Sequence, residues 1–210
     1  MSVPVRTVVF NGAGAGTGST NLVALVEDGC IVAEQHLAGR GASEHFAPVL
    51  RTVLEAGGWS GSPDRVVAVI GPGSFTGLRA SLSLAAGLAA GWGCPTIGVT
   101  LGAAIRATLG QPDVTCISVA RRGRYFVDPP TGEVFAISAD ALDASAFESV
   151  AGDAVSEREA WPCNVVACIA PDALGIVRAA EAQSSGPLMP LYVDPPEAKP
   201  PAAGLRPLPQ

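Results

Sequence analysis

Charge is scarce in this sequence. Asp, Glu, Lys and Arg make up 15% of the 210 residues, against about 25% in an average globular chain. Of thirteen basic residues twelve are arginine, Lys199 is the one lysine, and the formal net charge is −6. A chain this acidic is no general polyanion binder, which excludes tight unaided binding of RNA or DNA. Histidine is scarcer still, at His36 and His45. The five cysteines (Cys30, Cys94, Cys116, Cys163, Cys168) form no Cys-x-x-Cys pair, and Cys163 and Cys168 have no histidine near them in sequence. That pattern argues against a zinc site. The odd cysteine count, with no basic stretch and apolar run at the start, predicts reduced thiols and a cytoplasmic protein. No apolar run is long enough for a bilayer: the greasiest, residues 80–92, is short and interrupted by Ser and Gly. No membrane association is expected.

What is present is a large apolar fraction, 48%, and a mean hydropathy of +0.36. A chain of this length buries roughly 70% of its unfolded surface and needs neither metal nor disulfide to fold. β-Branched residues 7–10 read as a first strand. Residues 22–26 and 30–37 read as two more, joined at Asp28-Gly29, a hairpin signal because that turn demands positive φ. Gly39-Arg40-Gly41 reads as a loop. Ser43 is placed to cap a helix whose apolar residues Phe46, Val49, Leu50, Val53 and Leu54 share one stripe. Pro48 is expected to distort its first turns and Gly57-Gly58 to end it. Residues 66–70 form an unbroken apolar strand of the kind covered on both faces. A long helix to about Trp92 follows, capped by Ser74 or Thr76, and then a strand over 96–99. The first hundred residues thus read β-β-β-α-β-α-β, an α/β lobe on a mixed sheet. Beyond it the pattern predicts a helix over 101–109, strands over 114–120, 125–127, 133–137 and 165–170, a turn at 121–124, and helices over 140–150 and 171–182. From Pro187 onward 8 of 24 residues are proline, which predicts an extended, partly mobile tail. The division is therefore 1–100, 101–186 and 187–210.

Three segments could carry function. The glycine stretch over 11–19 follows a strand, where phosphate loops sit. Its glycines recur at every second position, no Walker lysine follows, and a strand rather than a helix comes next, which favours a hairpin loop. The segment Gly71-Pro72-Gly73-Ser74-Phe75-Thr76-Gly77-Leu78-Arg79 runs from strand through turn into helix. It is either an anion-binding helix start or a rigid connection packed against a neighbour. Arg79 opposes the helix dipole in the first turn, which points to a use elsewhere, in a salt bridge or at a partner surface. The helix that follows carries Ser83, Gly87 and Gly91 on one stripe and Leu78, Leu82, Ala85 and Ala89 on a greasier one. Glycine inside a helix costs about 0.5–1 kcal/mol against alanine and asks for a packing reason. Such a helix is either enclosed in its own fold or shared with a partner. Nucleophilic catalysis lacks support: the histidines sit in no triad pattern, and residues 73–77 are not a Gly-x-Ser-x-Gly elbow. Glu157 and Glu159 read as a solvated pair. Arg121, Arg122 and Arg124 read as a solvated hairpin tip that could also touch RNA or an acidic partner.

The nine residues 71–79 resemble the signature of the TsaB (YeaZ) family. Gly87-Leu88-Ala89, Pro95-Thr96-Ile97-Gly98-Val99-Thr100, Ser43-Glu44-His45-Phe46-Ala47-Pro48, Ala120-Arg121-Arg122-Gly123 and Pro190-Leu191-Tyr192-Val193 with Pro196-Glu197-Ala198-Lys199 extend the resemblance. It is dense over 40–100 and thin over 125–185. It implies an actin-like ATPase (ribonuclease H-like) α/β fold of two related lobes with mixed sheets, the second reduced. It also implies a non-catalytic role beside a TsaD-like catalytic subunit and a TsaE-like ATPase in threonylcarbamoylation of the tRNA adenosine next to the anticodon, with tRNA met only inside that complex. Pairing through the first two helices would place Phe46, Leu50, Val53, Leu54, Leu82, Ser83, Ala86, Gly87 and Ala90 at the interface. No cofactor, metal or catalytic residue of its own is implied, and a homodimer is expected when the chain is alone. Two departures stand out. Ala42 takes the place of the family's usual histidine, and Phe10-Asn11-Gly12 takes the place of its Ile-Asp-Thr. An asparagine cannot hold a metal-bound water as an anionic carboxylate does. The competing reading, a stand-alone actin-like ATPase or kinase or a glycoprotease-like enzyme, is opposed by that missing carboxylate.

Overall fold

The computed structural model describes residues 4–15, 18, 20–38, 42–59 and 61–193. The expected loop at Gly39-Arg40-Gly41, part of the glycine stretch and the tail from 194 onward, including Lys199, lie outside the described residues.

β-Branched and aliphatic runs make the first sheet. Strands β1 (Arg6–Asn11), β2 (Asn21–Glu27) and β3 (Cys30–Leu37) form a meander, followed by helix α1 (Phe46–Gly57), β4 (Arg65–Gly71), helix α2 (Phe75–Trp92) and β5 (Thr96–Thr100). The spatial order is β3-β2-β1-β4-β5, with β1 antiparallel to β2 and parallel to β4. The β2–β3 hairpin turns at Asp28 and Gly29, both at positive φ (49° and 74°), as the two-residue turn requires. Helix α1 buries Phe46, Val49, Leu50 and Val53, the stripe its spacing predicts, and leaves Leu54 half-buried.

Ser43 does not cap α1. It lies in a single 3-10 turn (Ala42–Glu44), and His45 precedes the helix without a side-chain cap. Pro48 falls in the helix's first turn, where its missing N–H would have been unpaired in any case. The ladder starts one residue later, where the Val49 N–H donates to the His45 carbonyl at 2.9 Å.

Helix α3 (Leu101–Leu109) leads into a second sheet of β6 (Thr115–Val119), β7 (Arg124–Asp128), β8 (Phe135–Ser138), β9 (Ser149–Ala151) and β10 (Asn164–Val165), and helix α4 (Ala173–Ala180) closes the described fold. Its order, β10-β9-β6-β7-β8, repeats the first sheet strand for strand: a three-strand antiparallel meander, then two strands added in parallel beside the first. Residues 140–150 are not the expected helix but two 3-10 turns and β9. The expected buried strand at 165–170 shrinks to the two residues of β10, with Val165 45% exposed. β10 is a two-residue edge strand and β9 a three-residue strand inside it, both too short for their own residues to set the element.

Strands β1, β2 and β4 are buried on both pleats, so both faces of the first sheet are covered. Helices α1 and α2 pack on it, and α4, paired with α3, lies across β1, β2, β4 and β5. Thus α4, which the sequence division groups with residues 101–186, buries Ala173, Ile176, Val177 and Ala180 in the core of the first sheet. A smaller core of Ile117, Tyr125, Val127, Leu142, Val150 and Ala154 belongs to the second sheet. The described start of the tail is strapped down: Gly186 N–H donates to Thr96 O at 2.9 Å and Leu191 N–H to Ile70 O at 2.8 Å.

Candidate functional site

Parallel pairing of β1 with β4, Phe10 opposite Ala68, makes the loops after both strands leave from one sheet edge. In open α/β sheets that edge is where ligands bind. Here the two loops close on each other. Asn11 is fully buried; its Nδ2 donates to Thr20 O at 2.9 Å, and its Oδ1 accepts from Ala13 N–H at 3.1 Å. Asn21 Oδ1 accepts from Gly14 N–H at 2.8 Å. The Ser74 N–H donates to Ala13 O at 2.8 Å, and Ser74 Oγ caps α2 by accepting from Gly77 N–H at 3.3 Å.

The glycines make this approach possible. A Cβ at Gly73 would collide with the backbone of Ala13, and one at Gly77 with the carbonyl of Gly12. The structure packs residues 71–79 against the loop after β1, through Gly73, Ser74 and Gly77. Gly71 and Pro72 are buried beside it, Thr76 is exposed, and Phe75 is half-buried.

Among the described residues Arg79 has no carboxylate partner. Its guanidinium lies 4.0 Å from the Phe75 ring centroid and 5.8 Å from that of Tyr192, and its Nε donates to the Tyr192 hydroxyl at 2.8 Å. The two rings are 5.5 Å apart. Two segments of the resemblance, 71–79 and 190–193, therefore meet at one point.

The expected interface residues separate into two groups. Phe46, Leu50, Val53 and Leu82 are buried inside the chain, Leu82 at 4% exposure. As the chain stands they have no surface for a partner, because apolar residues at helical spacing fill the chain's own core first. Ser83, Ala86, Gly87 and Ala90 are exposed on the outer face of α2, and Leu54 is half-buried. A Cβ at Gly87 or Gly91 would meet nothing within 4 Å.

One buried polar constellation had no sequence signal, since it is assembled from distant single residues. Asp128 pairs with Arg106 (Nη2 to Oδ1, 3.0 Å) and accepts from Gly102 N–H at 3.0 Å, while Arg106 also donates to the carbonyl of Asp128 at 3.0 Å. It ties α3 to β7. A shallow groove of about 490 Å³ beside it is lined by Arg106, Arg178, Ala103, Pro112 and Pro130. Both arginines are already engaged, Arg178 with Ala107 O at 3.1 Å. Burial pushes the Asp153 carboxyl above its ordinary range, against the lowering effect of the Val119 N–H bond at 2.9 Å. Burial also raises the thiol of Cys116 well above the ordinary thiol value, with Asp128 adding to the effect. Among the described residues no group of three His, Cys, Asp or Glu could hold a metal ion, and no helix is long and apolar enough to cross a membrane.

Two topologically equivalent sheets, each a meander extended by parallel strands, define an actin-like α/β protein of two lobes. A family model described as TsaD: tRNA N6-adenosine threonylcarbamoyltransferase matches residues 29–152. An uncharacterized protein of Mycobacterium tuberculosis is 34% identical over 170 residues, covering 77% of this chain and 79% of that protein. The tRNA threonylcarbamoyladenosine biosynthesis protein TsaB of Escherichia coli is 38% identical over 79 residues, 37% of this chain and 34% of its own length. The solved structure of YeaZ from Pseudomonas aeruginosa superposes with a TM-score of 0.69 at 20% identity, over 90% of this chain and 99% of that one. The chain belongs to this threonylcarbamoyltransferase family.

Proposed function

We propose that this chain serves tRNA threonylcarbamoylation as a non-catalytic subunit that pairs with a TsaD-like catalytic subunit. The observation that carries the reading is the outer face of α2. Over 18 residues the helix has a single charge, Arg79. Its exposed surface begins with Thr76 and Arg79 and continues with Ser83, Ala86, Gly87, Ala90 and Gly91. A solvated helix face ordinarily carries charged and long polar side chains. A face of residues this small lets a second helix approach closely, and among the described residues a Cβ at Gly87 or Gly91 would meet nothing within 4 Å. The loops at the β1–β4 edge support the non-catalytic part, since Asn11, Asn21 and Ser74 are all engaged in bracing one loop against the other. The TsaE-like ATPase and the tRNA would then be met through the complex, in the cytoplasm.

The test is co-purification with the TsaD homologue of the same source, with and without Gly87→Leu, and measurement of the modified adenosine after depletion of this chain. Loss of pairing in the variant and loss of the modification on depletion are expected. Full modification without the chain ends the reading. Sedimentation of the chain alone is expected to show a homodimer that dissociates when the catalytic subunit is added.

A further inference from the structure

Arg79 is held in a way that a solvated arginine is not. It lies on the same face of α2 as the small residues: positions 76, 79, 83, 86, 87 and 90 follow the three- and four-residue spacing of one helical stripe, and Arg79 is exposed there. It is the one charge on the helix. Phe75 stacks beneath it, and Tyr192, brought in by the strapped tail, receives its Nε–H and adds a second ring. Among the described residues its Nη groups have no acceptor. An arginine gripped by two aromatic rings has lost most of its rotamer freedom before any partner arrives, so less is lost when it forms a further bond. A fixed, exposed guanidinium whose Nη groups have no acceptor among the described residues is complementary to a planar carboxylate.

We propose that Arg79 is the charge-selecting contact of the pairing face, presented by Phe75 and Tyr192 to a carboxylate on the helix of the catalytic subunit that packs against Ser83, Ala86 and Gly87. The inference rests on the pairing proposed above and adds to it the chemistry of the partner: a helix with small residues along its contact stripe and an Asp or Glu near the end that meets the start of α2. The stripe supplies close packing, which is indifferent to sequence detail. The arginine supplies register and discrimination, because a neutral or basic residue opposite it would leave a desolvated cation without a partner. Tyr192 is a positioning residue in this scheme.

The experiment measures association kinetics of the full chain with the TsaD homologue across a series of salt concentrations. The variants are Arg79→Gln, Arg79→Lys, Arg79→Glu, Tyr192→Phe and Gly87→Leu, each with a thermal melt to confirm folding. Arg79→Gln is expected to slow association about fivefold and flatten its salt dependence, and Arg79→Glu to weaken binding about 100-fold, since like charges then face each other. Arg79→Lys should keep the salt dependence while losing part of the affinity. Tyr192→Phe should weaken binding a few-fold without changing the salt slope, because the charge remains. If Gly87→Leu abolishes pairing while Arg79→Glu binds like wild type, the charge contact is wrong and the pairing stands. If the wild-type chains do not associate at all, both fall.

Discussion

At the scale of single residues, the most informative position is Asn11. In this chain its amide uses both ends, donating to Thr20 O and accepting from Ala13 N–H in a fully buried setting. Asn11→Asp, which puts a carboxylate at the end of β1, removes the donor and places an anion against a carbonyl. An unsatisfied buried polar group costs about 1–3 kcal/mol and a buried unpaired charge more. The variant is therefore expected to lose about 3 kcal/mol in denaturant titration at neutral pH and to recover part of it in acid, where a protonated carboxyl donates again. Equal stability of the two proteins at neutral pH would show that the loop is not braced by this amide. Asp153 offers the opposite sign. Burial raises its carboxyl above the ordinary value of 3.8. As pH climbs past that value the unfolded chain loses its proton while the folded chain keeps it, so stability falls until the folded carboxyl ionises too. Asp153→Asn keeps an acceptor for the Val119 N–H and removes the ionisation. The variant should match wild type below about pH 4 and exceed it at neutral pH. A variant less stable at neutral pH would mean that the hydrogen bonds to the carboxylate outweigh its burial.

At the scale of elements, α2 carries a conflict that its composition makes measurable. Gly87 sits mid-helix on an open face where a side chain would meet nothing. Alanine there should stabilise the isolated chain by about 0.5–1 kcal/mol through helix propensity alone. The same change, and more strongly Gly87→Leu, should loosen pairing with the catalytic subunit. A stabilised chain that pairs less well, seen by thermal melting and by affinity measurement on the same samples, is the expected result; a stabilised chain with unaltered affinity would put the interface elsewhere. This is also where sequence and structure part company. The stripe Leu78, Leu82, Ala85 and Ala89 is legible as buried, but the spacing could not say whether the burying surface was the chain's own sheet or a partner. The structure gives those positions to the sheet and leaves the small residues outside. Long, strongly patterned elements were readable: β1 through β5, α1 through α3, the Asp28-Gly29 turn and the Ser74 cap. Elements of two or three residues were not, because β9 and β10 are too short to show a period and are specified by pairing, β9 with β6 and β10 with β9, rather than by their own residues. The Tyr192–Arg79 contact, 113 residues apart, was not readable from the motifs that contain its two members.

At the scale of the whole molecule, the repeat of one topology in two sheets suggests two independent lobes, yet the packing says otherwise. The first sheet obtains the cover for one of its faces from α3 and α4, and α4 arrives only after the whole second sheet has been traversed. Without it, the surface that buries Ala173, Ile176, Val177 and Ala180 would be open to water. An uncovered apolar sheet face of that size drives association rather than folding. The buried Asp128–Arg106 pair, with its bond to Gly102 N–H, fixes α3 to the second sheet, and α3 packs on α4, so the cover of the first sheet is tied to the second through α3. A fragment of residues 1–100 is therefore expected to aggregate or to remain without fixed tertiary structure, although it contains a complete five-stranded sheet and two covering helices. Adding a fragment of residues 101–193 in trans should restore a single cooperative melt, because it brings back α3 and α4. Near-ultraviolet circular dichroism and the dispersion of amide resonances decide the matter. A monomeric, well-dispersed 1–100 fragment would show that α1 and α2 suffice and that α3 and α4 are dispensable to the first sheet.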